Sequence, residues 1–198
     1  MTLRSDVAEL LAGAGILDVD IDEAVADEHV RSSAYRRIVS ATVSSRNRGG
    51  SGAQGRDRAT VATIDRATVA TILRDPVEIV AKTAVVDFVD RMATRATGPD
   101  EFRRWSAGLM PEIDRLTTDG HRDFIRRRVR DWLLYLSVEE GMAPASAELA
   151  KATNWMQRVL AEGTTSSAVL AQLAESGNTR KIRNIARNRA GSRTRRTR

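Results

Sequence analysis

Apolar residues recur along most of this chain at intervals of three and four residues, the spacing that places them on one face of an α-helix. The clearest case is the stretch 120–140, which has apolar residues at positions 124, 125, 129, 132, 133 and 136. Glycine, proline and capping residues separate about eight such stretches. No segment predicts a credible sheet, so the expected fold is all-α, an orthogonal multi-helix bundle.

Two acidic capping signals mark predicted helix starts. Asp20, with Glu23 three residues on, predicts a helix that runs to about Ser45. Its expected inner face holds Val25, His29, Ser32, Ile38 and Thr42. The sequence Asp75-Pro76-Val77-Glu78 combines an N-cap, a proline in the first helical position and a capping glutamate. It predicts a helix to about Ala96 whose buried residues are Ile79, Val80, Ala84, Val86, Phe88, Val89 and Met92.

The remaining helices are predicted from breaks in the pattern. A short helix is expected at 5–12, another at 100–109, and the next begins at Pro111. Further helices follow at 120–140, which Asp119 caps, at 145–162, from Thr164 or Thr165 to Ser176, and at 178–190.

A glycine-rich segment and a repeat interrupt the helical pattern. Residues 46–56 contain four glycines and predict a flexible linker. The octapeptide Asp-Arg-Ala-Thr-Val-Ala-Thr-Ile then occurs twice, at 57–64 and 65–72. On a helix the two copies lie about 80° apart and cannot face one core, so we interpret them as a duplication that lengthened a loop or a helix start. The predicted segments are 1–45, 46–74, 75–177 and 178–198.

Charge is distributed unequally along the chain. The whole sequence carries a formal charge of +6, yet residues 180–198 hold eight arginines and Lys181 without one acid, which leaves the other 179 residues at −3. A mildly acidic body with a basic tail is typical of proteins that bind nucleic acid or a membrane surface. Lysine occurs only at positions 82, 151 and 181, which also indicates a G+C-rich bacterial genome.

The basic tail is the strongest candidate binding site, and nucleic acid is its expected ligand. On a helix, Arg180, Arg183 and Arg187 form one cationic ridge opposite an apolar strip made of Ile182, Ile185 and Ala186. Arginine binds phosphate groups bidentately. Residues 191–198 are expected to be disordered and to add unspecific affinity. The tail cations assigned to phosphate contact are Arg180, Lys181, Arg183, Arg187, Arg189, Arg193, Arg195, Arg196 and Arg198.

A second basic run lies in the predicted helix 120–140. It contributes Arg126, Arg127 and Arg130 as candidate nucleic-acid contacts. Neighbouring acids could instead neutralise the run as a salt-bridged helix face, and the sequence leaves both interpretations open.

The stretch 148–155 resembles the first helix and turn of a helix-turn-helix. Ala150 and Asn154 match the packing and turn positions, and Leu160 matches a later apolar position, but Gly163 stands where the motif requires an apolar residue. One continuous helix over 145–162 explains the sequence equally well. The motif would place Gln157 and Arg158 on the recognition helix, which reads the major groove.

Signatures of catalysis and metal binding are missing from the sequence. There is no cysteine, and His29 and His121 lie far apart without metal-ligand spacing. No phosphate-binding glycine loop or nucleophile elbow is present. We expect no enzyme activity and no cofactor. Trp105, Trp132 and Trp155 are expected in the core, so nucleic-acid binding should depend on phosphate contacts.

The sequence therefore predicts a cytoplasmic accessory or regulatory protein that binds DNA or RNA through its C-terminus. The alternative, from another class, is a helical scaffold subunit whose basic tail docks on an acidic protein partner. Homo-oligomerisation stays open. No membrane contact is expected, because no apolar run approaches the ~18 residues of a transmembrane helix.

Overall fold

The computed structural model of the protein describes residues 2–45 and 56–196, with side chains described for 2–45 and 63–191. Within these ranges all regular structure is α-helical, which confirms the predicted class. Eleven helices are present there rather than about eight. They are α1 (Leu3–Gly13), α2 (Ile21–Ala26), α3 (Glu28–Ser45), α4 (Arg56–Ile72), α5 (Glu78–Ala93), α6 (Pro99–Ile113), α7 (Asp119–Glu139), α8 (Ser146–Lys151), α9 (Asn154–Gly163), α10 (Ser167–Ser176) and α11 (Arg180–Arg196).

The helices divide into two compact units. Unit 1 comprises residues 1–95 and 103–126, and unit 2 comprises residues 96–102 and 127–198. The division falls inside α6 and α7, whereas the segments expected from the sequence follow the glycine-rich stretch and the basic tail. Residues 46–55 of the linker predicted at 46–56 lie outside the described residues, and Arg56 begins α4.

Unit 1 contains a buried ion pair among its apolar side chains. Arg31 of α3 and Asp75 lie 2.6 Å apart, with side chains 3% and 0% exposed. The Tyr35 hydroxyl donates to the same carboxylate at 2.9 Å, and burial raises the pKa of Tyr35. The Arg31 guanidinium also donates to the carbonyls of Ala24 and Val25, so few of its polar atoms lack a partner. Buried charges are tolerated when they are paired and hydrogen-bonded in this way.

The predicted helix from Asp20 to Ser45 is wrong, because it is two helices. Asp20 does cap α2, accepting hydrogen bonds from the amides of Asp22 and Glu23. The chain then breaks at Asp27, whose extended backbone and side chain start α3 by accepting from His29 N at 2.7 Å. Because of the break, α3 buries a different face from the one expected of a continuous helix, and His29 is exposed. The buried residues of α3 are Arg31, Ala34, Tyr35, Ile38, Val39 and Val43.

The helix predicted at Pro76 begins two residues later, at Glu78. Asp75 accepts from Val77 N at 2.8 Å, but it does not cap α5. The Glu78 carboxylate accepts instead from Thr117 and Thr118 in the loop before α7, and these hydrogen bonds lower the pKa of Glu78 to about 2. Most of the predicted apolar side chains of α5 are buried, but Ile79 is half exposed and Val86 is only partly buried.

Two predicted helices around Pro111 form the single helix α6. Pro111 lies inside it, although proline lacks the amide that the helix would use and usually ends or kinks a helix. Phe102, Trp105, Leu109 and Ile113 of this helix are buried, and their apolar area favours continuation over a break.

Both copies of the octapeptide lie in α4, so the repeat is helical rather than a loop. The two isoleucines at equivalent positions have opposite environments: Ile64 is 52% exposed, and Ile72 is 0% exposed. A rotation of about 80° between the copies explains this difference. Only the second copy therefore places its isoleucine in the core of unit 1.

Unit 2 is built around three helices that pack on one another, α9, α10 and α11. Their buried apolar residues include Met156, Leu160, Leu170, Leu173, Ile182 and Ala186. Ser166, rather than either preceding threonine, caps α10 by accepting from Val169 N at 3.3 Å. Gly141 ends α7 as predicted, with a positive φ of 91° that glycine adopts without strain.

Candidate nucleic-acid interface

Helix α11 begins at a tight turn that requires glycine. A Cβ atom on Gly177 would lie 2.6 Å from the Leu173 carbonyl oxygen and 2.9 Å from Ile182 Cγ2, closer than side chains approach without displacement. Thr179 then caps the helix, its hydroxyl accepting from Ile182 N at 3.2 Å. The turn therefore fixes which face of α11 packs on α9 and α10.

The packed face of α11 is the predicted apolar strip. Ile182 and Ala186 are buried, and Ile185 is half-buried. The helix continues to Arg196, past the predicted end at 190 and into the stretch expected to be disordered. Of the tail arginines, Arg198 lies outside the described residues, and the side chains of Arg193, Arg195 and Arg196 are likewise not described.

The cationic ridge differs in part from the prediction. Arg180 and Arg187 are exposed with Lys181 beside them, but Arg183 is half-buried. Its guanidinium donates to the Gly177 carbonyl at 2.6 Å and so closes the turn before α11. Arg189 is also half-buried and donates to a carbonyl of α9 at 3.0 Å. Three of the five described cations of α11 therefore face solvent.

No described cation of α11 forms an ion pair with another described residue. Where Arg183, Arg187 and Arg189 have partners, these are carbonyl or amide oxygens. Elsewhere in the described chain many arginines pair with carboxylates. Examples are the pairs Arg4–Asp22, Arg37–Asp18, Arg74–Asp6, Arg91–Asp87, Arg126–Asp114 and Arg158–Glu162.

The residues of the basic run of α7 differ in whether they form ion pairs, so neither of the two interpretations, a nucleic-acid contact or a salt-bridged helix face, applies to the whole run. Arg126 belongs to unit 1 and pairs with Asp114 at 2.6 Å, which agrees with the interpretation of the run as a salt-bridged helix face. Arg127 and Arg130 belong to unit 2, are exposed, and have no ion pair among the described residues. Arg128 places its guanidinium 3.5 Å from the centroid of the Trp155 ring, a stacking distance.

The stretch 145–162 is two helices joined by a short turn at Ala152 and Thr153. The prediction of one continuous helix is therefore wrong, and the turn comes before Asn154, the residue assigned to it. Thr153 caps α9 by accepting from Met156 N. Asp131 of α7 accepts from both the amide and the hydroxyl of Thr153, while burial raises the pKa of Asp131. A carboxylate on α7 thus stabilises the break.

Of the two residues assigned to a recognition helix, only Arg158 is accessible. Gln157 is 1% exposed, and its amide donates to Leu149 O and accepts from Asn178 N, both at 2.8 Å. Gln157 is therefore not accessible as a nucleic-acid contact, because its side chain is buried and both of its polar atoms bind backbone groups of the protein. Arg158 is exposed and pairs with Glu162 at 2.7 Å.

Hydrogen bonds bring the start of α11 against the α8–α9 turn. Besides the bond to Gln157, the Asn178 side chain donates to the Ala152 carbonyl at 3.4 Å. The turn also contacts α7 through Thr153 and Trp155. The stretches of α7 and α11 that contact the turn carry cations close in sequence to those contacts, and so does the end of α8. We call this region the turn surface, defined by Arg127, Arg128, Lys151, Trp155, Arg180 and Lys181.

Sequence reasoning did not assign three residues of the turn surface as contacts, namely Arg128, Lys151 and Trp155. Lys151 is exposed at the end of α8 and has no ion pair among the described residues. Trp155, expected in the core, is 37% exposed, whereas Trp105 and Trp132 are each 7% exposed. The break at Thr153 places Trp155 in the first turn of α9. A continuous helix would have given it a different orientation.

Comparisons with known proteins add no assignment: no family model, curated protein or solved structure matches this chain. Within the described residues, none of the helices has the length and apolar character needed to cross a membrane. The same residues contain no group of three or more His, Cys, Asp or Glu side chains that could hold a metal ion.

Proposed function

We propose that this chain is a non-enzymatic accessory or regulatory protein that binds nucleic acid, mainly through phosphate contacts made by α11, the residues that follow it and the turn surface. The observation that supports the proposal is the group of unpaired cations on α11. In a chain whose other arginines often have carboxylate partners, Arg180, Lys181 and Arg187 are exposed and have none among the residues that the structure describes. Such cations bind phosphates and release counterions from nucleic acid.

Substitution is a better test of this proposal than truncation. Ile182 and Ala186 are buried between α11 and its neighbours, so removal of α11 would expose the apolar residues of α9 and α10. The test variant therefore replaces Arg180, Lys181 and Arg187 with glutamine. The matched control replaces three ion-paired arginines of unit 1 with glutamine, namely the exposed Arg4 and Arg37 and the half-buried Arg91. Both variants lose three positive charges.

Fluorescence anisotropy with labelled duplex DNA, single-stranded DNA and RNA at several salt concentrations distinguishes the two variants. Each lost phosphate contact reduces the slope of log K against log salt by about 0.9 on duplex and about 0.7 on a single strand. We expect the α11 variant to reduce the slope by about 2 to 3, and the control to leave it unchanged. Absence of binding to all three ligands at low salt, or an equal loss in both variants, refutes the proposal and favours an acidic protein as the partner of the tail.

A further inference from the structure

Trp155 has an unusual environment for a tryptophan in a protein with so few aromatic residues. Of the three tryptophans, it alone is more than a third exposed. It is nevertheless held in place, because Thr153 caps the helix turn that carries it and the ring meets Trp132 edge to face, with centroids 5.6 Å apart. A large apolar ring is therefore held at the surface of unit 2 in a defined orientation.

Arg128 lies over the face of this ring. Its guanidinium carbon lies 3.5 Å from the Trp155 centroid, so a cationic group occupies one face of the ring. Arginine planes and aromatic rings are the two side-chain surfaces on which unpaired nucleic-acid bases stack. Part of the pair is open to solvent, since Trp155 is 37% exposed and Arg128 as a whole residue is half-buried.

Several cations lie close in sequence to the residues that form the pair and its turn. Lys151 ends the helix before the turn, Arg127 precedes Arg128 on α7, and Arg180 and Lys181 follow the Asn178 contact to the same turn. A strand whose base lies on the Arg128–Trp155 pair would have its adjacent phosphates near these charges. In a duplex the base faces are stacked on one another and unavailable, so this arrangement suits an unpaired strand.

We infer that the turn surface binds single-stranded nucleic acid, with one unpaired base stacked on the Arg128–Trp155 pair. This inference rests on the proposed nucleic-acid binding and adds the class of ligand. It also adds base stacking to the phosphate contacts that the sequence predicts to dominate binding. The chain would prefer a single strand to a duplex of the same sequence at equal salt.

The test is a titration of intrinsic tryptophan fluorescence with an oligothymidylate and with a duplex of equal length. Because Trp105 and Trp132 are nearly buried, quenching by the single strand reports on Trp155. Loss of one stacked base weakens binding by about five- to 150-fold. We expect that loss for Trp155→Leu with the single strand, a change below about twofold with the duplex, and recovery of most of the affinity in Trp155→Phe.

Arg128→Lys provides a second comparison, because it keeps the charge and removes the plane that stacks on the ring. We expect it to weaken single-strand binding while leaving the salt dependence unchanged. The wild-type titration needs no folded variant: equal binding of single strand and duplex without fluorescence quenching overturns the stacking inference and leaves phosphate binding intact. Failure of every nucleic acid to bind would instead refute the proposed function itself.

Discussion

Replacement of Gln157 by methionine distinguishes a structural role for this residue from a role in reading nucleic acid. Methionine has a similar length and fills the same space, but it cannot replace the two hydrogen bonds that the amide makes at 2.8 Å. Leu149 O keeps the bond that it accepts from Ala152 N at 3.2 Å, so only Asn178 N loses its hydrogen-bond partner. A lost bond costs about 1 kcal/mol and an unsatisfied amide about 1–3 kcal/mol. We therefore expect the free energy of unfolding to fall by about 2–4 kcal/mol.

Gln172 of α10 offers the matched control. It is half-buried, and its Oε1 atom has no hydrogen-bond partner among the described residues. Gln172→Met should therefore leave stability unchanged or raise it, because it removes a buried polar atom without breaking a bond. Urea denaturation followed by fluorescence and circular dichroism measures both variants. If Gln157→Met unfolds at the wild-type urea midpoint but binds nucleic acid less tightly, the residue faces a ligand and our interpretation of its hydrogen bonds is wrong.

Three further predictions concern unit 1. Arg31→Met leaves the buried Asp75 carboxylate without its ion-pair partner and should lower the free energy of unfolding by about 3–5 kcal/mol in a urea titration. Ile72→Ala should cost about 2–5 kcal/mol, whereas Ile64→Ala, the same change in the other octapeptide, should cost less than about 0.5 kcal/mol; equal effects would refute the assigned rotation of α4. The pKa of Glu78 is lowered to about 2, so the carboxylate stabilises the fold fully above its ordinary pKa of 4.5. That contribution is lost as the pH falls from 4.5 toward 2, and thermal melts should show wild type and Glu78→Gln converging over this range.

Capping residues and glycines predicted the helix boundaries that depend only on residues close in sequence. Asp20 caps α2, Gly141 ends α7, and Gly177 separates α10 from α11, each through its own backbone or a side chain a few residues away. The apolar strip of α11 was likewise predictable, because its period alone defines the packed face.

The breaks that the sequence did not reveal depend on residues distant in the chain. The gap between α2 and α3 is held by Arg31, which binds the last carbonyls of α2 and an aspartate 44 positions later. The turn after α8 is stabilised by Asp131, 22 positions before its partner Thr153. Neither pairing produces a pattern of apolar and polar positions that could be detected in the sequence. Trp155 was assigned to the core for the same reason, since its exposure follows from that turn.

The octapeptide repeat has a consequence for the genetics of this chain. Deletion of residues 57–64 and deletion of residues 65–72 yield the same polypeptide, because the two copies are identical. In either product the surviving copy directly precedes Leu73 and occupies the helical register in which isoleucine is buried. Loss of eight residues shortens the N-terminal end of α4 by about 12 Å and leaves the packed end unchanged. Contraction of the repeat is therefore a mutation that the core of unit 1 can accept.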